Sequence, residues 1–467
     1  MFTGRHNELQ ILEKDHQEKK SSIVTIYGRR RIGKSQLVLH FTKGKPCLCI
    51  EALERQHTPQ QIKHFKNQMA SQLNDTLLKS ADLRSWEQVF DYLTAVLEKQ
   101  KSKMIWFFDE FQWMAAGQSK LVSLIKFYWD TKWKSHPLQL ILCGSISSYM
   151  VGKVIRSKAL FGRIDVEIKL EDMLPYEAKS LLGVSEDETL KYLLLFGGVP
   201  KYLELIQRRL SFDKNVDQLC FQKNSYFLDE FDKIFYSQFK RHRLHEKIVM
   251  ILSKGNRTLT EITDELKLSS GGGITRYLKE LELAGFIMFI QTVSYGKKEK
   301  HYRLIDEYLR FYFQYIRSNV KLIKTNASRF FFRNRVLPKW NPWLGLSFEN
   351  FCLKRIDLIC RILEIEDTLV NFGPIVIVGK GRKDGVQVDL ALETSDRSIF
   401  VCECKYHDAT IGLDVIDEMK SKLVKIKFPS RMTVKKVLIS LHGASNELKQ
   451  AQFFDAMITA QDLLRIK

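Results

Sequence analysis

No stretch of this chain approaches the ~18 consecutive apolar residues that a membrane-spanning helix needs. The first residues, Met1-Phe2-Thr3-Gly4-Arg5-His6-Asn7-Glu8, carry no apolar signal core. Both absences lead us to expect a cytoplasmic protein with no membrane partner. The eight cysteines are scattered. Two pairs are C-x-C, Cys47/Cys49 and Cys402/Cys404, each inside a strand-like apolar run where a period of two puts both on one face. Neither has a second pair at zinc-site spacing, so they read as reduced, buried thiols. Acidic residues are in deficit: 54 stand against 74 Lys and Arg, a net charge of +20, which favours a polyanionic partner and nucleic acid first among them. The apolar share of 45% is that of an ordinary folded protein, and 467 residues exceed what one core supports, so three or four domains are expected.

What the chain does have is Gly28-Arg29-Arg30-Arg31-Ile32-Gly33-Lys34-Ser35, which fits G-x-x-x-x-G-K-[ST], the phosphate-binding P-loop. Residues 22–27 before it read as a buried strand, and Gln36-Leu37-Val38-Leu39-His40-Phe41 after it as the first turns of a helix. Strand, glycine loop and helix is the context in which loop N–H groups and a helix N-terminus converge on an anion. The expected cradle is Gly28 to Gln36. Lys34 would reach the β- and γ-phosphates of a nucleotide, and Ser35 would hold Mg²⁺.

Downstream, Met104-Ile105-Trp106-Phe107-Phe108-Asp109-Glu110 is an apolar strand ending in two acids. In a P-loop ATPase Asp109 would bind Mg²⁺ through water, and Glu110 would orient and polarise the attacking water. A further strand, Leu138 to Ser145, follows, and then Phe196-Gly197-Gly198-Val199-Pro200.

The P-loop, Asp109-Glu110 and the Gly-Gly-Val-Pro box make residues 1 to about 210 resemble the prokaryotic, archaeal-type ATPases of the STAND class, relatives of AAA+ proteins. The resemblance implies ATP rather than GTP, and the chain has no Asn-Lys-x-Asp box for guanine. It also implies roles for other positions. Phe2-Thr3-Gly4-Arg5-His6-Asn7-Glu8-Leu9 matches a box that packs near the adenine, its plainer reading being an N-terminal cap helix. Ser145, or failing it Ser147, sits where the γ-phosphate is sensed, though a strand-end serine also fits. Arg163 falls where an arginine faces phosphate, or where it forms a structural ion pair. Pro200 lies in a G-x-P signature that contacts nucleotide from a small helical lid.

In residues 211–340, His245–Ser253 has a helical pattern, and Thr258 opens a second helix with Glu261 three residues on, a capping box. A third helix runs over 274–282. Two strands, 286–290 and 300–304, are joined by the basic turn 296–299. Three helices and a hairpin make a winged helix, and Leu281-Glu282-Leu283-Ala284-Gly285-Phe286-Ile287 resembles that family. Residues 291–340 hold twelve Lys/Arg against three Asp/Glu, a net +9, with aromatics interleaved. The cations suit phosphate contacts, and the aromatics suit a core. Nucleic-acid contact and a lid or protein-contact role are both open.

In residues 341–467, Glu349 lies on a helix, Asp389 on one strand, and Glu403 and Lys405 on the same face of the next. Helix acid, strand acid, then acid-x-Lys resembles the PD-(D/E)XK nuclease fold, although Val388 stands where a proline is usual. The resemblance implies Mg²⁺ held by Asp389 and Glu403 with help from Glu349, and Lys405 orienting water or offsetting charge. The alternative is an inert nuclease-like fold whose acids and lysine form buried ion pairs.

The expected architecture is multidomain α/β: a P-loop parallel-sheet AAA-like ATPase core with a helical lid (1–210), a winged helix with a basic helical extension (211–340) and a restriction-endonuclease-like domain (341–467). The expected function is ATP binding and hydrolysis coupled to DNA binding and DNA cleavage. An ATP-controlled switch with an inert nuclease-like domain stands beside it, and a homo-oligomer is expected as a partner arrangement.

Overall fold

Strand β1 (Ser22–Gly28) is buried at every residue, and so is β3 (Met104–Asp109), as strands of a parallel sheet covered on both faces must be. They belong to a five-stranded sheet with β2 (Cys47–Glu51), β4 (Leu138–Ser145) and β5 (Ile164–Leu170), ordered β2-β3-β4-β1-β5 with every pair parallel. The computed structural model describes residues 2–115, 120–145, 150–239, 242–268, 273–293, 300–325, 330–377 and 385–466. Its contacts divide the chain into two compact units, Met1–Met173 with Tyr236–Lys240, and Leu174–Phe235 with Arg241–Lys467.

In the first unit, helices α1 (His6–Gln17), α2 (Lys34–Phe41), α3 (Trp86–Glu98) and α4 (Lys120–Thr131) accompany the sheet. The start of α3 is fixed by Ser85 and Gln88, which cap each other's backbone N–H groups. Its face at Trp86, Val89, Phe90, Leu93 and Leu97 is buried, as its spacing predicts, each full burial contributing roughly 1.5–3 kcal/mol. The Trp133 ring meets the Trp106 ring edge-on at 5.0 Å, and its N–H donates to Thr94 Oγ1 at 2.8 Å. The sequence reading omitted β5. Its pattern, Ile164-Asp165-Val166-Glu167-Ile168-Lys169-Leu170, alternates cleanly and marks an edge strand with one wet face.

The second unit opens with helices that include α5 (Glu186–Phe196) and a short helix, Pro200–Leu203. Three helices follow, α6 (His242–Leu252), α7 (Leu259–Leu266) and α8 (Gly273–Leu283), and then an antiparallel hairpin of β6 (Ile287–Gln291) and β7 (Lys300–Leu304). The Thr258–Glu261 capping box at α7 is present in both directions. The basic turn expected at 296–299 lies outside the described residues. In the segment that follows, Phe311, Tyr312, Tyr315, Phe331 and Phe332 are buried while Arg317, Lys321, Lys324, Arg333, Arg335 and Lys339 are exposed, so these aromatics form core and these cations form surface.

Helix α9 (Trp340–Lys354) leads into a mixed sheet of β8 (Leu369–Ile377), β9 (Val386–Thr394), β10 (Ser398–Lys405), β11 (Thr433–Ser440) and β12 (Ala456–Thr459), ordered β12-β11-β10-β9-β8. The pairs β8–β9 and β9–β10 are antiparallel, and β10–β11 and β11–β12 parallel. Helix α10 (Asp414–Lys425) connects β10 to β11. The sequence reading omitted β11 and β12, although Val437-Leu438-Ile439 is a buried apolar run. The basic turn at 379–385 lies, but for Gly385, outside the described residues. The hairpin is tied to this sheet by main chain. The Val293 N–H donates to the Pro374 carbonyl at 3.0 Å. Gly373 has φ +152°, and a Cβ there would stand 2.4 Å from the Gln291 carbonyl oxygen, so only glycine lets the two backbones approach.

Candidate functional site

The phosphate-binding loop is built from the end of β1. A Cβ on Gly28 would lie 2.4 Å from the Leu170 carbonyl oxygen of β5, which excludes a side chain there. Arg31 (φ 71°) and Gly33 (φ 90°) turn the loop through left-handed backbone. Gly33 precedes α2 without a side-chain cap, so the first N–H groups of that helix are open to an anion. Lys34 is buried, and its ammonium donates to the carbonyls of Gly28 at 3.2 Å and Arg29 at 3.0 Å. Ser35 and Gln36 follow in the first turn of α2; Ile32 is fully buried, and Arg29 and Arg30 occupy the outer loop, the first buried and the second exposed.

The N-terminal box is part of the same assembly. Arg5 is buried, and its guanidinium donates to the Ile32 carbonyl at 3.1 Å and the Glu171 carbonyl at 2.7 Å, latching the loop to the segment after β5. The Phe2 ring stacks on His40 of α2 at 4.3 Å. This latch was not read from the sequence, although the Gly4-Arg5 pair pointed to the place.

Asp109 and Glu110 leave the end of β3, two strands from β1, with β4 between. Asp109 is buried, and its Oδ1 accepts from the Glu110 N–H at 2.9 Å. Glu110 sits at φ 48° and accepts a hydrogen bond from the Gln112 amide, a partner the sequence reading did not name. Burial raises the Glu110 carboxyl above its ordinary range, and Lys34 and then Arg30 pull the other way, so Lys34 and Glu110 share one electrostatic environment. Ser145 ends β4 in register with Gly28, which brings it to the same sheet edge. Ser147 lies outside the described residues. Arg163 makes a bidentate pair with Asp130 of α4 at 2.7 and 2.9 Å, the ion-pair alternative. Pro200 begins its short helix, with Gly197 at φ 70° before it and Tyr202 after it donating to buried Glu230 at 2.7 Å. The hydroxyl of Ser35 and the carboxylate of Asp109 are hard oxygen donors that suit Mg²⁺.

The C-terminal acids meet on β9 and β10. Leu390 pairs with Cys402, and Asp389 and Glu403 are the residues next to that pair on the two strands. Asp389 Oδ2 accepts from the Cys404 N–H at 3.0 Å. Glu403, 2% exposed, takes two hydrogen bonds from the Lys422 ammonium of α10 at 2.7 and 2.6 Å, and Lys405 stands 3.2 Å away. Lys405 also pairs with Glu418 of α10 at 2.5 Å. Burial and then Asp389 push the Glu349 carboxyl of α9 up to about 7, against the pull of Arg303 and Arg310. Helix α9 is docked beside those arginines: Asn350 donates to the Ile305 carbonyl at 3.1 Å, Lys354 pairs with Glu307 at 3.0 Å, and Arg310 donates to Ser347 Oγ at 3.4 Å. Lys405 and Glu403 are therefore in contact, and Asp389 and Glu349 share their electrostatic environment. The sequence reading missed Lys422 and Glu418, whose four-residue spacing on a helix was the available signal, and Arg303 and Arg310, which had none. The three carboxylates are hard donors that suit Mg²⁺ chemically, yet among the described residues no three His, Cys, Asp or Glu side chains are grouped closely enough to hold a metal ion.

A loop of this geometry at the edge of an all-parallel sheet, with an acid pair two strands away, defines the P-loop ATPase class. Residues 2–206 match the family described as an ATPase domain predominantly from Archaea. Residues 312–420 match a second family, described as archaeal and bacterial proteins of unknown function. The chain is 28% identical over 415 residues to an uncharacterized protein of Methanocaldococcus jannaschii, covering 87% of this chain and 88% of that one. An uncharacterized ATP-binding protein of the same organism is 42% identical over 45 residues, 10% of this chain and 76% of its own. A Walker-type ATPase of Pyrococcus abyssi shares the fold at a TM-score of 0.50 and 18% identity, over 67% of this chain and 96% of its own. Among the described residues no helix is long and apolar enough to cross a membrane.

Proposed function

We propose that the chain is a Mg²⁺-dependent ATPase whose nucleotide state controls DNA binding and DNA cleavage by the C-terminal domain, with working divisions 1–210, 211–340 and 341–467. The observation that carries it is the shared environment of Lys34, Asp109 and Glu110 at one sheet edge, matched in the C-terminal sheet by Asp389 beside Glu403. Lys34 leaves its two carbonyl acceptors for the β- and γ-phosphates, as the loop N–H groups close on the same oxygens. Glu110, positioned by Gln112, accepts hydrogen bonding from the attacking water and aligns it. Ser145 is assigned to nucleotide contact, whereas the Asp130 pair gives Arg163 a structural role. Ser35 and Asp109 are the residues that would hold Mg²⁺, which would supply charge neutralisation at the phosphates.

In the C-terminal domain Asp389, Glu403 and Glu349 are the acids that would hold Mg²⁺, which would activate water toward a phosphodiester, and Lys405 is the cation that would orient that water. The exposed Arg317, Lys321, Lys324, Arg333, Arg335 and Lys339 are the proposed phosphate contacts of DNA. The test is cleavage of supercoiled and linear DNA with Mg²⁺, with and without ATP. Loss of cleavage in Asp389→Ala with ATP turnover kept, and altered cleavage in Lys34→Ala, are the expected results. No cleavage under any condition, with ATP still bound, overturns the nuclease part. A second reading, an ATP-controlled DNA-binding switch with an inert nuclease-like domain, is favoured by one observation: Glu403 is already paired with two lysines.

A further inference from the structure

Glu403 is buried in the sheet, yet two ammonium groups reach it. Lys405, on the same strand, divides itself between Glu403 and Glu418. Lys422 is the closer partner: it places its ammonium on both carboxylate oxygens at once. Glu418 and Lys422 are one turn apart on α10, so that helix carries its own acid–lysine pair crossed with the strand's: Glu418 takes Lys405, and Lys422 takes Glu403. An ammonium bound symmetrically to both oxygens occupies the direction from which a divalent cation would approach a carboxylate. A second feature of the same face has no partner. Ser440 of β11 is in register with Lys405 and 1% exposed, and its hydroxyl has no hydrogen-bond partner among the described residues. A buried hydroxyl in that position is a polar group on the face that Lys405 occupies.

We propose that Lys422 is an internal occupant of the divalent-cation position at Glu403, so that metal enters the C-terminal site only by displacing it. This rests on the metal-dependent reading of that site and adds its regulation. The chemistry is competition between cations. Because Lys422 is carried by α10, that helix becomes the element whose position sets metal affinity. Lys422 acts through Glu403 and is a positioning residue.

The test is Mn²⁺ binding to the full chain at pH 8 without nucleotide, followed by electron paramagnetic resonance. The sites lost in Glu403→Gln are assigned to the C-terminal cluster. Lys422→Met keeps the length of the side chain and removes its charge; it is expected to tighten the Glu403-dependent Mn²⁺ site by about tenfold or more, because the carboxylate then lacks its closer counter-ion. Lys422→Arg restores a bidentate cation and is expected to bind Mn²⁺ no more tightly than the parent chain. It also tests the idea should Lys422→Met fail to fold. A Glu403-dependent Mn²⁺ site of unchanged affinity in Lys422→Met overturns the proposal and leaves the metal-dependent reading standing, as does tighter binding in Lys422→Arg. Absence of any Glu403-dependent Mn²⁺ site in both the parent and Lys422→Met overturns the two together.

Discussion

Asp109 and Glu403 occupy comparable places, each at or near the C-terminal end of an interior strand in a five-stranded sheet, and each has a lysine close by. The charges are arranged in opposite ways. At the N-terminal site Lys34 is held by two neutral carbonyls of its own loop, while Asp109 and Glu110 are held by a backbone N–H and an amide. At the C-terminal site the lysines spend their hydrogen bonds on the acids themselves. The first arrangement keeps a cation near two acids without collapsing them into pairs, which leaves it receptive to an anion and its counter-ion. The second is charge-satisfied as it stands and must exchange partners before it can do chemistry.

The sharpest way to break this comparison is at Lys34. Lys34→Ala is expected to lower ATP turnover by about 10²–10³-fold, the scale of losing one preorganised charge-stabilising donor, in a steady-state phosphate-release assay. A smaller loss than this would mean the N-terminal charges are no more poised than the C-terminal ones. Glu110→Gln comes next: turnover should fall by about 100-fold while binding of a fluorescent ATP analogue is kept, since the amide preserves the site but not the base. Equal losses in binding and turnover would assign Glu110 to holding the loop instead.

A third test concerns Glu349 in the metal-free chain. Its carboxyl is raised to about 7, chiefly by burial and then by Asp389, so the native state binds a proton there more tightly than the unfolded chain. Its contribution is fully present below the ordinary carboxyl range and is lost as pH rises through about 7. Glu349→Gln should therefore raise the melting temperature relative to the parent at pH 8, by up to about 3 kcal/mol in free energy, and leave it nearly unchanged near pH 4.5. No difference between the two pH values would mean that Arg303 and Arg310 compensate Glu349 fully. The smallest effect is expected from Arg163→Ala. Its pair with Asp130 is partly exposed, so the cost is within about 1 kcal/mol by chemical denaturation, and ATP turnover should be unchanged. A large loss of turnover would instead give Arg163 a phosphate to face.

Much of this was legible in the chain because it is written locally. The loop from Gly28 to Ser35 must have glycine where Leu170 approaches, a lysine at a fixed offset and a helix start behind it, and each requirement leaves a residue in sequence. Period two placed Glu403 and Lys405 together, and a capping box at Thr258 and Glu261 announced a helix. The edge strand β5 was also legible, by its alternation, but was passed over. What could not be read were contacts whose partners are far apart in sequence and ordinary in type. For Arg5 reaching the Glu171 carbonyl, Lys422 on Glu403, and Arg303 and Arg310 beside Glu349, no local pattern names the distant partner.

The sequence by itself therefore determined that a nucleotide-type loop exists, that acids end the strand at Asp109, and that an acid-x-Lys strand lies near the C-terminus. These follow from backbone geometry and short-range spacing, which a few adjacent residues settle. Only the tertiary structure decided which charges pair. That outcome depends on which helix docks against which sheet face, and there burial makes each ammonium and guanidinium choose among the carboxylates within reach.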